Sequence, residues 1–144
     1  MEKREKIYKL LKAGKYEEVE RELEKVEDHR EQMALVGYAG EMLNCFEQYE
    51  RTASLLSLYA DSGQYDCCWN FEMGCAHYYR PADGAERIEN LHRALNYFTE
   101  AAGRGHLIAG EYVKWCYKDL LPLCGEEEID KRKDQTKASR RIRN

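Results

Sequence analysis

Apolar residues recur every three or four positions along almost the whole chain, with polar and charged residues between them. This spacing places apolar side chains on one face of an α-helix, so it predicts helices. Breaks in the pattern coincide with glycine, proline and short polar segments, which end helices. The pattern predicts about seven helices, over about residues 7–13, 16–26, 30–47, 50–61, 65–79, 85–102 and 106–121.

The predicted connections between these helices are short. Gly14 ends the first helix, Ser62 and Gly63 end the fourth, and the polar segment 80–84 separates the fifth from the sixth. Short connections favour antiparallel neighbours. The sequence therefore predicts an all-α fold of stacked antiparallel helical hairpins, with three hairpins and an unpaired seventh helix that ends at Pro122.

Glycine spacing suggests that these hairpins repeat. Gly63 and Gly105 are 42 residues apart, and the same offset places Leu56 on Phe98. Gly37 and Gly74 are 37 residues apart, and the five missing residues equal the length of the loop 80–84. A repeat with one loop insertion explains both spacings.

Two segments carry a family resemblance. Residues 69–105 contain Met73-Gly74, then an aromatic residue, a variable loop, the pair Tyr97-Phe98 and an Ala-Ala-x-x-Gly ending, and they resemble one Sel1-like repeat. Residues 7–27 resemble a tetratricopeptide hairpin with a glycine-x-tyrosine turn. The resemblance covers about two thirds of the chain and implies a short tetratricopeptide-like or Sel1-like α-solenoid.

The resemblance also implies a binding surface. In such folds the first helix of each hairpin lines a concave groove, through residues just beyond the Leu-Gly position and one turn away. Carried onto this chain, the partner-binding residues would be Tyr38, Glu41, Met42, Phe71, Cys75, Tyr78, Val113 and Tyr117. The alternative is that so short an arc leaves no groove and these aromatic residues close the core.

Charge is unevenly distributed along the chain. The net charge is -4, and the basic residues concentrate near the end of the sequence. An acidic chain argues against a dedicated nucleic-acid binder, although the basic end keeps that partner open. We expect a single helical-repeat domain over residues 1–125 and a charged tail over residues 126–144 that is frayed or forms a capping helix.

Location is predicted from two features. The sequence has no run of about 18 consecutive apolar residues, so we expect no membrane association. Its six cysteines form no CxxC pair and no compact disulfide framework. Reduced thiols in the cytoplasm fit this pattern best.

Motifs for catalysis are missing from the sequence. We find no phosphate-binding loop, dinucleotide fingerprint, HExxH pair, EF-hand loop or nucleophile elbow, and we predict no enzyme activity and no cofactor. Cys67, Cys68, Cys75 and His77 fall on one predicted helix, but zinc ligands usually have tighter spacing. We therefore expect these side chains to pack against a neighbouring helix and to bind no metal.

The seventh predicted helix is strongly apolar and has no sequential partner. Its residues Trp115 and Leu120 need a covering surface. The tail, another protein or a second copy of the chain in a homodimer are the three candidates.

These features predict a protein–protein interaction module, either an adaptor or a regulator, that holds a peptide or protein on a concave aromatic face. The alternative is a bacterial immunity or inhibitor protein that neutralises a toxin or effector by direct binding. The alternative rests on analogy with other small repeat proteins.

Overall fold

The computed structural model describes residues 2–124, which form eight α-helices and no strand, so the all-α prediction is confirmed. The predicted tail, residues 126–144, lies outside the described residues. The helices are α1 (Lys3–Lys12), α2 (Tyr16–Glu24), α3 (His29–Cys45), α4 (Tyr49–Ser57), α5 (Ala60–Gly63), α6 (Cys67–Tyr79), α7 (Gly84–Gly103) and α8 (Ala109–Cys124).

Matching turns end α1 and α3. Gly14 has a φ of 75° and Glu47 a φ of 61°, so both adopt the left-handed conformation that commonly follows a helix. In the first turn the Lys15 amide donates to the Leu10 carbonyl oxygen at 2.9 Å. In the second, the Gln48 amide donates to the Leu43 carbonyl oxygen at 2.8 Å. The predicted stop at Gly14 is confirmed, and the stop after α3 uses no glycine.

The predicted fourth helix, 50–61, is divided into α4 and the short α5. At this break Trp69, on α6, donates from its indole Nε1 to the Leu56 carbonyl oxygen at 2.8 Å. The indole also lies against Gly63, where an added Cβ would come within 2.4 Å of the ring. The bend after α4 places Gly63 against the indole. Helical periodicity in the sequence does not predict this contact.

Helices adjacent in sequence pack together as α1 with α2, α3 with α4, and α6 with α7. The first helices of these pairs also lie side by side, α1 against α3 and α3 against α6. One core cluster joins α1, α2, α3, α4 and α6, and a second joins α6, α7 and α8. In each cluster a glycine faces a large residue of the following helix, Gly40 facing Leu56 and Gly74 facing Phe98.

The last helix, α8, packs against α7, so it is not unpaired. It also continues through Pro122 to Cys124, so the predicted end at Pro122 is wrong; a proline removes one helical hydrogen bond without ending this helix. Leu120 is fully buried there, so part of the apolar face that we expected to need a cover is covered by this chain. Trp115 remains 43% exposed, and the homodimer through this helix stays a prediction. None of the helices within residues 2–124 is long and apolar enough to cross a membrane.

Gly63→Ala is expected to lower the free energy of unfolding by about 1–3 kcal/mol, because the new methyl group overlaps the buried indole of Trp69. The matched control is Gly110→Ala on α8, where the added Cβ meets nothing within 4 Å apart from the adjacent residues and backbone of its own helix. The control should leave stability unchanged or raise it by about 0.5 kcal/mol, since alanine favours helix. Urea unfolding followed by circular dichroism measures both. Equal stability of the two variants would contradict the packing described for Gly63.

Candidate binding groove

A groove of about 460 Å³ runs across the exposed side of α1, α3 and α6 to the turn before α8. Its volume falls in the range of typical ligand sites. The groove is lined by Arg4, Arg30, Met33, Ala34, Gly37, Tyr38, Glu41, Asp66, Cys68, Phe71, Glu72, His106 and Ile108. We call this surface the α3–α6 groove.

Three of the eight predicted partner-binding residues, Tyr38, Glu41 and Phe71, come together in the α3–α6 groove. Phe71 is at the same time a member of the second core cluster and only 8% exposed, so it meets the groove with a small part of its ring. The other five residues lie outside the groove. Met42 packs against the first core cluster, Cys75 belongs to the second, and Tyr78, Val113 and Tyr117 pack against the second. The physical reason is that α8 covers the C-terminal part of α6, so the expected aromatic stripe there closes the core.

Several groove residues were not predicted. Arg4 comes from α1, Arg30 from the first turn of α3, and His106 and Ile108 from the turn before α8. Arg4 and Arg30 resemble ordinary solvated charges in the sequence, and nothing in the helical pattern distinguishes them. Ile108 had a detectable signal, because it is a large apolar residue beside glycine-rich turn residues.

Aromatic side chains form one wall of the groove. Phe71 stacks on the ring of His106 with centroids 4.0 Å apart and contacts Tyr112 edge-on at 5.2 Å. Burial lowers the pKa of His106, which favours the neutral ring in this stack. Because these contacts hold Phe71, the wall is preformed and needs little ordering when a ligand binds.

The opposite wall contains Tyr38. The guanidinium of Arg4 lies 5.1 Å from the centre of the Tyr38 ring, within cation–π range. Lys3, the neighbour of Arg4, forms an ion pair of 2.7 Å with Glu31 of α3. These contacts hold the start of α1 against α3 and keep a positive charge at this end of the groove.

Glu72 places a carboxyl group in the groove between α3 and α6. Its Oε1 accepts a hydrogen bond from Asn44 Nδ2 at 3.1 Å, and the same Nδ2 donates to the Glu72 carbonyl oxygen at 3.0 Å. Burial raises the pKa of Glu72 to about 7; the hydrogen bond from Asn44 opposes this rise and the nearby charge of Glu41 adds to it. A carboxyl group with such a pKa changes charge near neutral pH, which is typical of functional sites.

Tyr78 takes part in a different arrangement, which ties three helices together. Its hydroxyl donates to Asp119 Oδ2 of α8 at 2.6 Å, and Arg87 of α7 donates to its carbonyl oxygen. Burial, together with the hydrogen bond to Asp119, raises the pKa of Tyr78, so the hydroxyl stays protonated. Tyr78 therefore fastens α6 to α7 and α8.

The cysteines and histidine of α6 are spread over different environments. Cys67 and Cys68 have Sγ atoms 3.9 Å apart, whereas Cys75 is buried. His77 is also buried and stacks on Tyr97 at 5.7 Å. Burial, with smaller effects from Arg93 and Arg80, lowers the pKa of His77 to about 4. Within residues 2–124, no three His, Cys, Asp or Glu side chains come together in a way that could hold a metal ion.

Compared with family models, with curated proteins and with solved structures, the chain has no match.

Proposed function

We propose that this protein is an interaction module that binds an extended segment of another protein in the α3–α6 groove. The observation that carries the proposal is the groove itself, with two preformed aromatic walls and charged residues of both signs. The partly exposed ring of Tyr38 supplies contact area at low entropic cost, and the buried ring of Phe71 fixes the wall on the other side of the groove. A binding role in the cytoplasm also fits the six free cysteines.

We further propose that the chain is a short tetratricopeptide-like or Sel1-like solenoid. Two features support the proposal that the hairpins are repeats of one structural unit. The turns after α1 and α3 share the same hydrogen bonds, and the pair Gly40 and Leu56 has the same arrangement as Gly74 and Phe98. The glycine that corresponds to Gly74 is then Gly40, whereas the sequence spacing had favoured Gly37.

Ala34→Arg tests the groove. Ala34 is an exposed groove residue on α3, so a long side chain there fills the groove. Arginine is a good helix former, so the substitution should not disturb α3. The probe is a displayed library of random dodecapeptides, selected on the wild-type protein. We expect the selected peptides to lose affinity by about 100-fold or more on Ala34→Arg, because the arginine occupies their position.

The matched control is Ala85→Arg, since Ala85 is also an exposed alanine, lies near the start of α7 and does not line the groove. Circular dichroism must show the same helix content for both variants. Peptides that bind Ala34→Arg as tightly as Ala85→Arg would contradict the proposed function.

A further inference from the structure

Glu72 is an incompletely satisfied carboxylate. It is half-buried in the groove, and Asn44 supplies the hydrogen bond to its carboxylate within the described part of the chain. A carboxylate can accept about four hydrogen bonds. Asn44 Oδ1 is itself buried and has no donor among residues 2–124. Acceptors therefore outnumber donors at this point of the groove.

Among the described residues, Glu41 of α3 is the charged group that raises the pKa of Glu72. The carboxyl of Glu72 in turn raises the pKa of the thiols of Cys45, Cys68 and Cys75 and of the Tyr112 hydroxyl. None of the ion pairs within residues 2–124 includes Glu72 or Glu41.

Positive charge in the groove lies on α1 and the first turn of α3. Arg4 rests over Tyr38 and Arg30 is exposed at the start of α3, whereas Glu72 lies in the second turn of α6. A buried carboxylate without a cation is costly, and a cation that enters from outside relieves that cost. The groove thus has an acidic part that a basic group would complement.

We propose that the bound segment inserts an arginine or lysine side chain whose cationic head pairs with Glu72 and Glu41. Its aliphatic stem would lie beside the partly exposed ring of Tyr38, which lines the same groove. Arginine suits the site better than lysine, because its planar head donates to two carboxylates at once and stacks on aromatic rings. This inference rests on the proposed function and names the chemistry of the partner.

The test uses the dodecapeptides selected on the wild-type protein. We expect them to be enriched in arginine and lysine, and a change of the key arginine to citrulline should weaken binding by about 30-fold. On Glu72→Gln the same change should weaken binding by less than about 3-fold, because the charge that arginine pairs with is gone. Glu86→Gln, an exposed glutamate of α7, is the control with the same loss of charge. It should behave as wild type.

Glutamine at position 72 keeps an acceptor for the Asn44 amide, so Glu72→Gln should fold. If it does not, Glu41→Gln at an exposed groove position serves the same comparison. One outcome would contradict this inference alone: peptides that bind Ala34→Arg poorly but bind wild type, Glu72→Gln and Glu86→Gln equally well with arginine or with citrulline. The proposed function would then still hold, without the basic side chain. Peptides that ignore Ala34→Arg would instead overturn the proposed function, and this inference with it.

Discussion

Phe98→Ala is expected to lower the free energy of unfolding by about 3–5 kcal/mol. Phe98 is fully buried on α7 and lies against Gly74 of α6, where an added Cβ would come within 2.6 Å of its ring. It also contacts Phe71 at 5.6 Å and Tyr112 of α8 at 4.7 Å. Its removal leaves a cavity where three helices meet, and the close approach at Gly74 limits how far they can collapse. Chemical unfolding followed by circular dichroism measures the loss.

The control for Phe98 is Leu58→Ala, since Leu58 is 64% exposed, and we expect a change below about 0.5 kcal/mol. Gly74→Ala provides a second check on the same contact. It should cost about 1–3 kcal/mol in the wild type and much less when Phe98 is already alanine. Additive effects of the two changes would mean that the Phe98 ring does not rest on Gly74.

Glu72→Gln is expected to change how stability depends on pH. The pKa of Glu72 is about 7 in the folded chain against an ordinary value of 4.5. Below pH 4.5 the carboxyl is protonated in both states; between pH 4.5 and 7 the unfolded chain loses the proton first, so stability falls as pH rises. The difference corresponds to about 3 kcal/mol. The stability of Glu72→Gln relative to wild type should therefore rise by about 3 kcal/mol between pH 4 and 8.

The comparison with wild type matters because His77 acts in the opposite direction. Its pKa is about 4 in the folded chain, so its contribution to stability is present above pH 6.5 and is lost as pH falls through 4. The two effects partly cancel in the wild type, and subtraction of one curve from the other removes the His77 contribution. A relative stability that stays constant from pH 4 to 8 would contradict the raised pKa of Glu72.

The sequence predicted the helical segments well, because helix periodicity and turn chemistry are local. The end of α1 at Gly14 is an example, since a left-handed residue there is encoded by one glycine. The end of α4 was predicted four residues late. At that end the Trp69 indole, thirteen residues further along the chain, donates to the Leu56 carbonyl oxygen, a contact that local periodicity does not predict.

The candidate site was predicted in part. The rule from the family resemblance identified α3 and α6 and three groove residues, Tyr38, Glu41 and Phe71. It missed Glu72, because a glutamate between helical apolar residues looks like a solvated charge. Only the approach of Asn44 from α3 and the burial between the helices distinguish it.

By itself the sequence determined the helical class and most of the helix boundaries of this protein, because those depend on residues a few positions apart. The tertiary structure decided which face of α6 lies in the groove and which is covered by α8. It also decided that the partly buried carboxyl of Glu72 has no ion-pair partner among residues 2–124. These properties depend on contacts between distant segments, where the burial of one side chain is set by the position of another.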